Sequence, residues 1–363
     1  MQVLLEEESK TFKSKVNDFI KDYFTNKEIN LRDLWKSLYK DSFISPGNSL
    51  LKNILLTEAL CKQNPGIGLF LLTEFACTEI IKAFGDNDIK SSYLDKLYTG
   101  ENISCFSLTE PNAGSDVTMI ETTAQKKDTM WLINGHKIWA SNGSICDFII
   151  TFAQTKSYKD KTGVTCFVIP TNSNNIQVLK DTPKLGVKIT PSNEILIKDL
   201  EISEENQVGN IGDGIKIALS AISIGRIYCA AQAVGLLDGI LNECIKHSTK
   251  RNQFGKSISE YQAIQWYIAD MTKDLDAARL LLYKAVWAKE NSPNEVNKLG
   301  SMAKYFSTNA AQKHSSNAVQ ILGGSGLLES SYVAQAYRDS KVLEIYEGTN
   351  EIQKLVISKE LFQ

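Results

Sequence analysis

The sequence predicts an α+β fold in which a helical segment is followed by a group of strands and then by a bundle of long helices. The first hundred residues carry helical periodicity. From about Ser104, short runs rich in Ile, Val and Phe are separated by polar turns, and after Gly214 the helical period returns without proline as far as Lys250. This order of patterns predicts three domains, over residues 1–103, 104–208 and 209–363.

In the first domain, apolar residues recur at helical spacing and β-branched residues are few. Pro and Gly pairs punctuate the pattern, which is typical of turns between helices. The predicted helices are Phe12–Phe24, Leu50–Cys61 and Leu69–Phe84, and the punctuating pairs are Pro46-Gly47, Pro65-Gly66 and Gly85-Asp86.

The second domain has the pattern of an antiparallel sheet or small barrel. Asn134-Gly135 stands between two apolar runs, which is the strongest short-range signal for a hairpin. Further short apolar runs predict strands at Phe148–Phe152, Val164–Ile169, Ile176–Leu179 and Ile195–Ile202.

The third domain is predicted to be a helical bundle. Ile215–Lys250 is apolar on several sides and should be a buried helix. The next helix carries apolar residues alternately three and four apart, a seam that requires a partner helix: Ile264, Ile268, Met271, Leu275, Ala278 and Leu282. Two more helices are predicted at Glu295–Leu322 and Asn350–Glu360.

The amino-acid composition argues against several classes of protein. The 363 residues carry 40 Lys and Arg against 42 Asp and Glu, a net charge of −2 that gives no support for nucleic-acid binding. No apolar stretch is long enough to span a membrane, and the N-terminus lacks a secretory core. Seven cysteines without a CxxC pair fit reduced thiols, and three scattered histidines do not have metal-ligand spacing. We expect a cytoplasmic protein without a metal site.

Small and polar residues gather in three segments where packing alone would not require them. Phe106–Asp116 offers hydroxyls and, around Gly114, backbone N–H groups for a ring edge or pyrophosphate, or it is a well-capped turn. Arg251–Gly255 could grip a dinucleotide or simply end a helix. Ile345–Gln353 places Glu347 before a glycine and ahead of a helix N-terminus, where an isolated carboxylate is usually a solvated loop charge.

Taken together, five motifs in this order resemble the acyl-CoA dehydrogenase family of flavoproteins, from about Leu50 to Gln363. They are TEPNAGSD (Thr109–Asp116), WASNG (Trp139–Gly143), RNQFG (Arg251–Gly255), QILGGSG (Gln320–Gly326) and YEGTNEIQ (Tyr346–Gln353). The resemblance implies an N-terminal helical domain, a middle antiparallel β-barrel and a C-terminal four-helix bundle, in a homotetramer or homodimer.

The resemblance also implies FAD as cofactor and assigns residues to it. One group would line the flavin ring and pyrophosphate, with the indole and hydroxyl of the WASNG motif over the ring: Phe106, Leu108, Thr109, Gly114, Ser115, Trp139 and Ser141. A second group would hold the adenine side of an FAD that belongs to a neighbouring subunit: Arg251, Gln253, Phe254, Gln320, Ile321 and Gly324. Thr349 and Glu351 would complete the site beside a helix N-terminus.

The implied reaction is α,β-dehydrogenation of an acyl thioester. Glu347 matches the family's base, which removes the α-proton, and the β-hydrogen leaves as hydride to flavin N5. A minority branch keeps its base just before the arginine that matches Arg226, where this chain has Gly225. Substrate contacts are assigned to Ser115, Arg226, Tyr346 and Gly348. The electrons would pass to an acceptor such as an electron-transfer flavoprotein or oxygen.

Two departures from the family pattern bear on the substrate. A glycine-rich loop is missing between Phe43 and Leu50, and Ser223 replaces an acidic residue near the pantetheine arm. They favour a small or polar acyl group on an acyl carrier protein, as in the short relatives of bacterial polyketide and peptide pathways that make antibiotics. The alternatives are a short- or medium-chain acyl-CoA dehydrogenase of catabolism, an acyl oxidase or monooxygenase on the same fold, and an inactive assembly subunit.

Overall fold

A computed structural model describes residues 6–25, 28–158 and 161–362. Within these described ranges, five helices precede the sheet, and they are α1 (Glu7–Tyr23), α2 (Leu31–Lys40), α3 (Leu50–Gln63), α4 (Ile67–Phe84) and α5 (Asn87–Tyr98). The three helices predicted in this segment are confirmed as α1, α3 and α4. Helices α2 and α5 begin at polar caps, because Asn30 Oδ1 accepts from Asp33 N at 3.1 Å and Asp86 Oδ1 accepts from Ile89 N at 2.9 Å.

The middle segment forms an eight-stranded sheet in the order β6-β7-β3-β1-β4-β5-β8, with β2 pairing to β3 and β4. Its strands are β1 (Ser104–Ser107), β2 (Thr123–Lys127), β3 (Met130–Ser141), β4 (Phe148–Tyr158), β5 (Lys161–Pro170), β6 (Ile176–Asp181), β7 (Ser192–Ser203) and β8 (Gln207–Val208). The four predicted strands are confirmed within β4, β5, β6 and β7.

The prediction that the sheet is purely antiparallel is wrong. Strands β1 and β2 both pair parallel to β4 and antiparallel to β3. This is possible because β3 and β4 are long, so that β1 pairs near one end of each and β2 near the other. The described pairing leaves β6 and β8 at the two ends of the strand order, so a closed barrel stays a prediction.

The predicted hairpin at Asn134-Gly135 is also wrong. These residues lie inside the continuous strand β3, where the pairing with β7 shifts register between Ile133 and Gly135. The β2–β3 turn comes earlier, at Asp128, whose φ is +53°. A Cβ on Gly135 would lie 2.2 Å from Thr122 Oγ1, so the glycine permits a close approach within a bulge instead of a turn.

The C-terminal segment is helical, with one small hairpin. It contains α6 (Gly214–Lys250), β9 (Asn252–Gln253), β10 (Lys256–Ser257), α7 (Gln262–Asn291), α8 (Val296–Leu322), α9 (Tyr332–Leu343) and α10 (Asn350–Leu361). The three long predicted helices and α10 are confirmed, and α9 was not predicted. The seam of α7 is buried at Met271, Leu275, Ala278 and Leu282. By length and composition alone α6 could cross a membrane, but 78% of its most apolar window is buried inside the protein.

Helices α6 and α8 run parallel, and this arrangement separates the two ends of the bundle. Near their starts, Arg226 Nη1 donates to Ser301 Oγ at 3.2 Å. Farther along, Asp238 of α6 and His314 of α8 both bond to side chains of α7. The C-terminal ends of α6 and α8 therefore lie at the same end of the bundle, away from Arg226.

One large apolar core joins the helices that precede the sheet in sequence to those that follow it. It contains residues from α1 to α4 together with residues from α6 to α9, and the sheet has two cores of its own. The N-terminal and C-terminal helical segments, which are far apart in sequence, therefore pack as one body around α6.

Candidate active site

Glu347 lies in the loop between α9 and α10, in a backbone conformation that non-glycine residues seldom adopt. Its φ is +57°, and Gly348 follows with φ +83°. The carboxylate lies against Gly225 of α6, where an added Cβ would be 2.1 Å from Oε2. Such strained residues cluster at functional sites, and this one aims its side chain at a helix that leaves space only for a hydrogen.

The surroundings of Glu347 give it the basicity of a proton acceptor near neutral pH. Burial raises the pKa of this carboxyl to about 7, while Arg226 and Lys304 act in the opposite direction. The Glu347 backbone N–H meets no acceptor within the described part of the chain. The residue thus offers a base and a free N–H donor side by side.

Arg226, predicted to meet the substrate, is 5% exposed and held inside the bundle. Its Nη1 donates to Asn297 Oδ1 at 2.5 Å and to Ser301 Oγ at 3.2 Å. Its buried Nε has no partner among the described residues. The side chain therefore supplies a fixed positive charge next to Glu347, and its buried Nε–H remains available as a donor.

Next to Glu347, a chain of hydrogen bonds closes the space between α4 and α6. The Tyr346 hydroxyl donates to Gln232 Oε1, and Gln232 Nε2 donates to the Pro65 carbonyl oxygen at 2.6 Å. The Gln232 side chain also fills the space beside Gly68. Gln232 was not predicted as a site residue, because its only signal in the sequence is a polar residue within an apolar helix.

The two segments predicted to contact the flavin ring are neighbours on the sheet. Phe106 pairs with Ser141, and Ile138 N donates to the Thr109 carbonyl oxygen at 2.9 Å. Trp139, with φ +57°, is 53% exposed, and a Cβ on Gly114 would meet no atom within 4 Å. A half-exposed indole beside an open polar loop is a suitable platform for a flat, anionic cofactor such as FAD, so these residues fit the group.

Two buried carboxylates, neither of them predicted as a site residue, form hydrogen bonds that hold these segments in place. Glu110 bonds to Lys137 Nζ at 2.6 Å, and Lys137 also donates to the Phe152 carbonyl oxygen at 2.7 Å. Glu74 accepts from Ser104 N and from Asn142 Nδ2, each at 3.0 Å. Burial raises the pKa of Glu74 to about 8 and lowers the pKa of Lys137 to about 8. The signal for Glu74 is a charged residue within an apolar helix, whereas Glu110 lies inside the TEPNAGSD motif without a role of its own there.

The remaining predicted cofactor residues divide between two places. Thr349 caps α10 by accepting from Ile352 N at 3.3 Å, with Glu351 exposed beside it, close to Glu347. Arg251, Gln253 and Phe254 lie past the end of α6. At 1.5 Å per residue, this end is about 39 Å from Gly225.

The far end of the bundle is open to solvent. The side chains of Arg251 and Gln253 are exposed, and Phe254 is 96% exposed at the tip of the β9–β10 hairpin. Gln320 and Gly324 are exposed at the matching end of α8, whereas the side chains of Ile321 and Leu108 are buried. The chain thus brings the sheet motifs together but leaves RNQFG and QILGGSG far from Glu347.

Family profiles match most of this architecture. The profile described as "Acyl-CoA dehydrogenase, C-terminal domain" matches residues 212–362, and "Acyl-CoA dehydrogenase, middle domain" matches residues 105–200. An acyl-CoA dehydrogenase from Bacillus subtilis is 37% identical over 87% of this chain and 83% of its own length. A short-chain specific acyl-CoA dehydrogenase from Clostridium acetobutylicum is 36% identical over 87% and 84%.

Solved structures agree along the whole chain. Butyryl-CoA dehydrogenase from Megasphaera elsdenii superposes with a TM-score of 0.91 at 31% identity, covering 99% of each chain. An FAD-dependent dehydrogenase gives 0.91 at 29% identity over 99% and 98%. The prolyl acyl carrier protein oxidase AnaB gives 0.92 at 27% identity over 99% and 100%. This chain therefore belongs to the acyl-CoA dehydrogenase family and is an FAD-dependent oxidoreductase that acts on acyl thioesters.

Proposed function

We propose that this enzyme removes the α-proton of a short acyl thioester with Glu347. The observation that carries the proposal is the Glu347 carboxylate itself, pressed against Gly225 and with its pKa raised by burial to about 7. Its distance from bulk water makes it a stronger base than an exposed glutamate, as abstraction of a weakly acidic α C–H requires. Gly225, at the position of the alternative base, has no side chain that could act.

The loop would also stabilise the charge that develops on the thioester oxygen. The free Glu347 backbone N–H is a donor for that oxygen, since an enolate needs preorganised donors where its charge appears. Arg226 and Lys304 offset the negative charge of the carboxylate before it takes the proton. The Phe106–Ser115 and Trp139–Ser141 segments would hold FAD, which would supply the acceptor for the β-hydrogen as hydride.

The hydrogen-bonded wall beside Glu347 supports a short acyl group. Tyr346, Gln232 and Pro65 are linked side by side, so the space between α4 and α6 is filled by protein atoms. Opening it for a long acyl chain would leave the buried Gln232 amide without its partners, at a cost of about 1–3 kcal/mol. Two of the relatives above are named for short acyl substrates, namely the short-chain specific acyl-CoA dehydrogenase and the butyryl-CoA dehydrogenase. Their names support a short acyl group for this chain.

Substitution Glu347→Gln tests the base. The amide is nearly isosteric, so FAD should stay bound while anaerobic reduction of the flavin by butyryl-CoA slows by about 10²–10⁴-fold. The flavin spectrum of the purified variant serves as the control for cofactor binding. Reduction at the wild-type rate would remove Glu347 from the mechanism.

A second candidate function uses an acyl group attached to a carrier protein instead of CoA. The short connection after α2 favours it. Between Phe43 and Leu50 the chain forms one tight turn, in which Asn48 Nδ2 donates to the Phe43 carbonyl oxygen at 2.7 Å. Ser223 adds no charge where the family carries an acid. The likeness to a prolyl acyl carrier protein oxidase along the whole chain is compatible with this candidate.

A comparison of two thioesters of the same acyl group decides between CoA and a carrier protein as the acyl carrier. Anaerobic flavin reduction is measured with the same acyl group on CoA and on a phosphopantetheinylated carrier protein. A carrier preference of at least about tenfold in rate at low substrate, which corresponds to 1.4 kcal/mol, supports the carrier. Equal rates or a CoA preference leave the short-chain acyl-CoA dehydrogenase as the function.

We further propose that FAD is shared between subunits of a homo-oligomer in the cytoplasm, with an electron-transfer flavoprotein or oxygen as electron acceptor. One observation supports the sharing: Arg251 and Gln320 lie at the opposite end of the bundle from Glu347. An exposed Phe254 at the tip of a hairpin is suited to reach a neighbouring chain. All seven cysteines are free, in keeping with a reducing compartment.

A further inference from the structure

Lys304 is a fully buried lysine on α8 whose ammonium group contacts the loop that carries Glu347. Its Nζ donates to the Glu344 carbonyl oxygen at 3.1 Å and to the Gly348 carbonyl oxygen at 3.0 Å. The third bond goes to Asn350 Oδ1 at 2.9 Å. An ammonium has three donors, and here all three are used by acceptors that flank Glu347 on both sides.

Packing alone does not account for a lysine at this position. Burying an ammonium is costly, and burial lowers the pKa of Lys304 from its ordinary value. A methionine of similar length would fill the same space between α8 and the loop without that cost. The ammonium is therefore needed for what it contacts, which is the loop backbone and the field around Glu347.

Gln353 of α10 makes a second, uncharged contact with the same loop. Its Nε2 donates to the Glu347 carbonyl oxygen at 3.0 Å and to the Gly348 carbonyl oxygen at 2.7 Å. Lys304 and Gln353 thus share the Gly348 carbonyl, but only Lys304 brings charge. Variants of these two residues therefore separate the effect of loop position from the effect of the positive charge on Glu347.

We propose that Lys304 is a positioning residue for the reaction: it fixes the Glu344–Asn350 loop so that Glu347 is aimed at the substrate, and its positive charge tunes that carboxylate. The proposal rests on the proposed function, in which Glu347 is the base. The charged and titratable groups around Glu347 and Lys304 come from α6, α8, α10 and the loop itself, and they are Arg226, Cys229, Lys304, Glu344, Tyr346, Glu351 and Glu360.

Two Lys304 variants are compared with one variant of Gln353 and one of Lys313, all in the holoenzyme. Lys304→Met removes donors and charge, Lys304→Gln keeps donors without charge, and Gln353→Leu removes donors only. Lys313→Met is the control, because it removes an exposed charge from the same helix. Two quantities are measured: the pH profile of single-turnover flavin reduction by butyryl-CoA, and amide hydrogen exchange of residues 344–353.

We expect Lys304→Met to reduce the limiting rate by about 10²-fold, since a misplacement of 1 Å can cost this much. The midpoint of its pH profile should rise, because a cation that stabilised the carboxylate is gone, and the loop should exchange faster. Lys304→Gln should recover part of the rate but keep the raised midpoint. Gln353→Leu should speed exchange and slow the reaction without moving the midpoint, and Lys313→Met should change neither quantity.

A wild-type pH midpoint and wild-type loop exchange in both Lys304 variants would overturn the proposal. So would a loss confined to thermal stability or FAD occupancy, with an unchanged profile in the enzyme that remains loaded. If Lys304→Met does not fold, the comparison of Lys304→Gln with Gln353→Leu decides. Failure of the proposed function is recognised separately, by full activity of Glu347→Gln.

Discussion

A Cβ placed on Gly225 would lie 2.1 Å from Oε2 of Glu347 and 2.7 Å from its Cδ. The carboxylate cannot be displaced freely in response, because its loop is tied to α8 by Lys304 and to α10 by Gln353. The position of the Glu347 carboxylate therefore depends on the missing side chain of Gly225 on α6 as well as on the loop that carries the glutamate.

Gly225→Ala should slow flavin reduction by about 10²-fold through displacement of Glu347, while FAD binding is retained. Stopped-flow reduction with a saturating short-chain thioester measures the effect. Gly47→Ala is the matched control, since a Cβ there meets no atom within 4 Å. A Gly225→Ala enzyme with the wild-type rate would mean that the contact with Gly225 does not fix the base.

The pKa of Glu347 predicts opposite pH trends for activity and stability. The base must be deprotonated, so the rate of reduction should rise with pH and level off above about 7. Because this pKa lies above the ordinary value near 4.5, the folded state holds the proton more tightly than the unfolded chain, and stability is lost as pH rises through 7.

Thermal unfolding of Glu347→Gln against the wild type isolates the stability effect. The difference in Tm should grow in favour of the variant from pH 5 to pH 8, because the neutral amide avoids the buried charge. A difference that is constant across this range would contradict the raised pKa.

At the element scale, the sheet motifs are held by polar contacts with buried charges. The side chains of Lys137 on β3 and of Glu110 in the TEPNAGSD motif are 0% and 3% exposed. The Glu110 carboxylate also accepts from the backbone N–H groups of Glu121 and Thr122. These bonds outweigh the effect of burial and keep the pKa of Glu110 below its ordinary value.

Lys137→Met should destabilise the protein by about 3–5 kcal/mol, because it leaves the Glu110 charge buried without its partner. Adding Glu110→Gln should recover much of the loss. Urea unfolding of the FAD-loaded protein measures both, with Lys246→Met as a control at an exposed ion pair. A decrease of less than about 1 kcal/mol in the free energy of unfolding of Lys137→Met would show that water or a local movement solvates the Glu110 carboxylate.

The elements differ in how far the sequence predicted them. Strong periodicity predicted α6, α7 and α8, and Glu347 is predicted as the base because its motif is specific. Asn134-Gly135 misled the prediction, since the same dipeptide suits a bulge where Thr122 approaches Gly135. Lys304 and Gln232 could not be found, because their roles come from contacts across helices that are distant in sequence.

At the scale of the whole molecule, α7 presents an apolar stripe to solvent. Trp266, Leu280 and Trp287 follow one another at steps of fourteen and seven residues, on one face of the helix, and are 65%, 49% and 56% exposed. This face is opposite the buried seam. Exposed apolar residues in such a row are typical of a protein interface, in agreement with the proposed homo-oligomer.

Trp266→Asp combined with Trp287→Asp should therefore yield monomers, and these should lose FAD. Sedimentation velocity gives the oligomeric state, and the ratio of flavin to protein absorbance gives occupancy. Leu185→Asp, which changes an exposed apolar residue of the sheet domain, is the control. Monomers with full FAD occupancy would contradict the shared cofactor site.

The 37-residue length of α6 has a genetic consequence. In the proposed homo-oligomer, one end of this helix would support its own chain's base, and the other end would carry Arg251 toward the cofactor of a neighbour. Two inactive chains, one with Glu347→Gln and one with Arg251→Gln, would then assemble into a mixed pair in which one site has both defects and the other has none. Coexpression should restore up to half of the wild-type activity per mixed pair, whereas independent sites would give none.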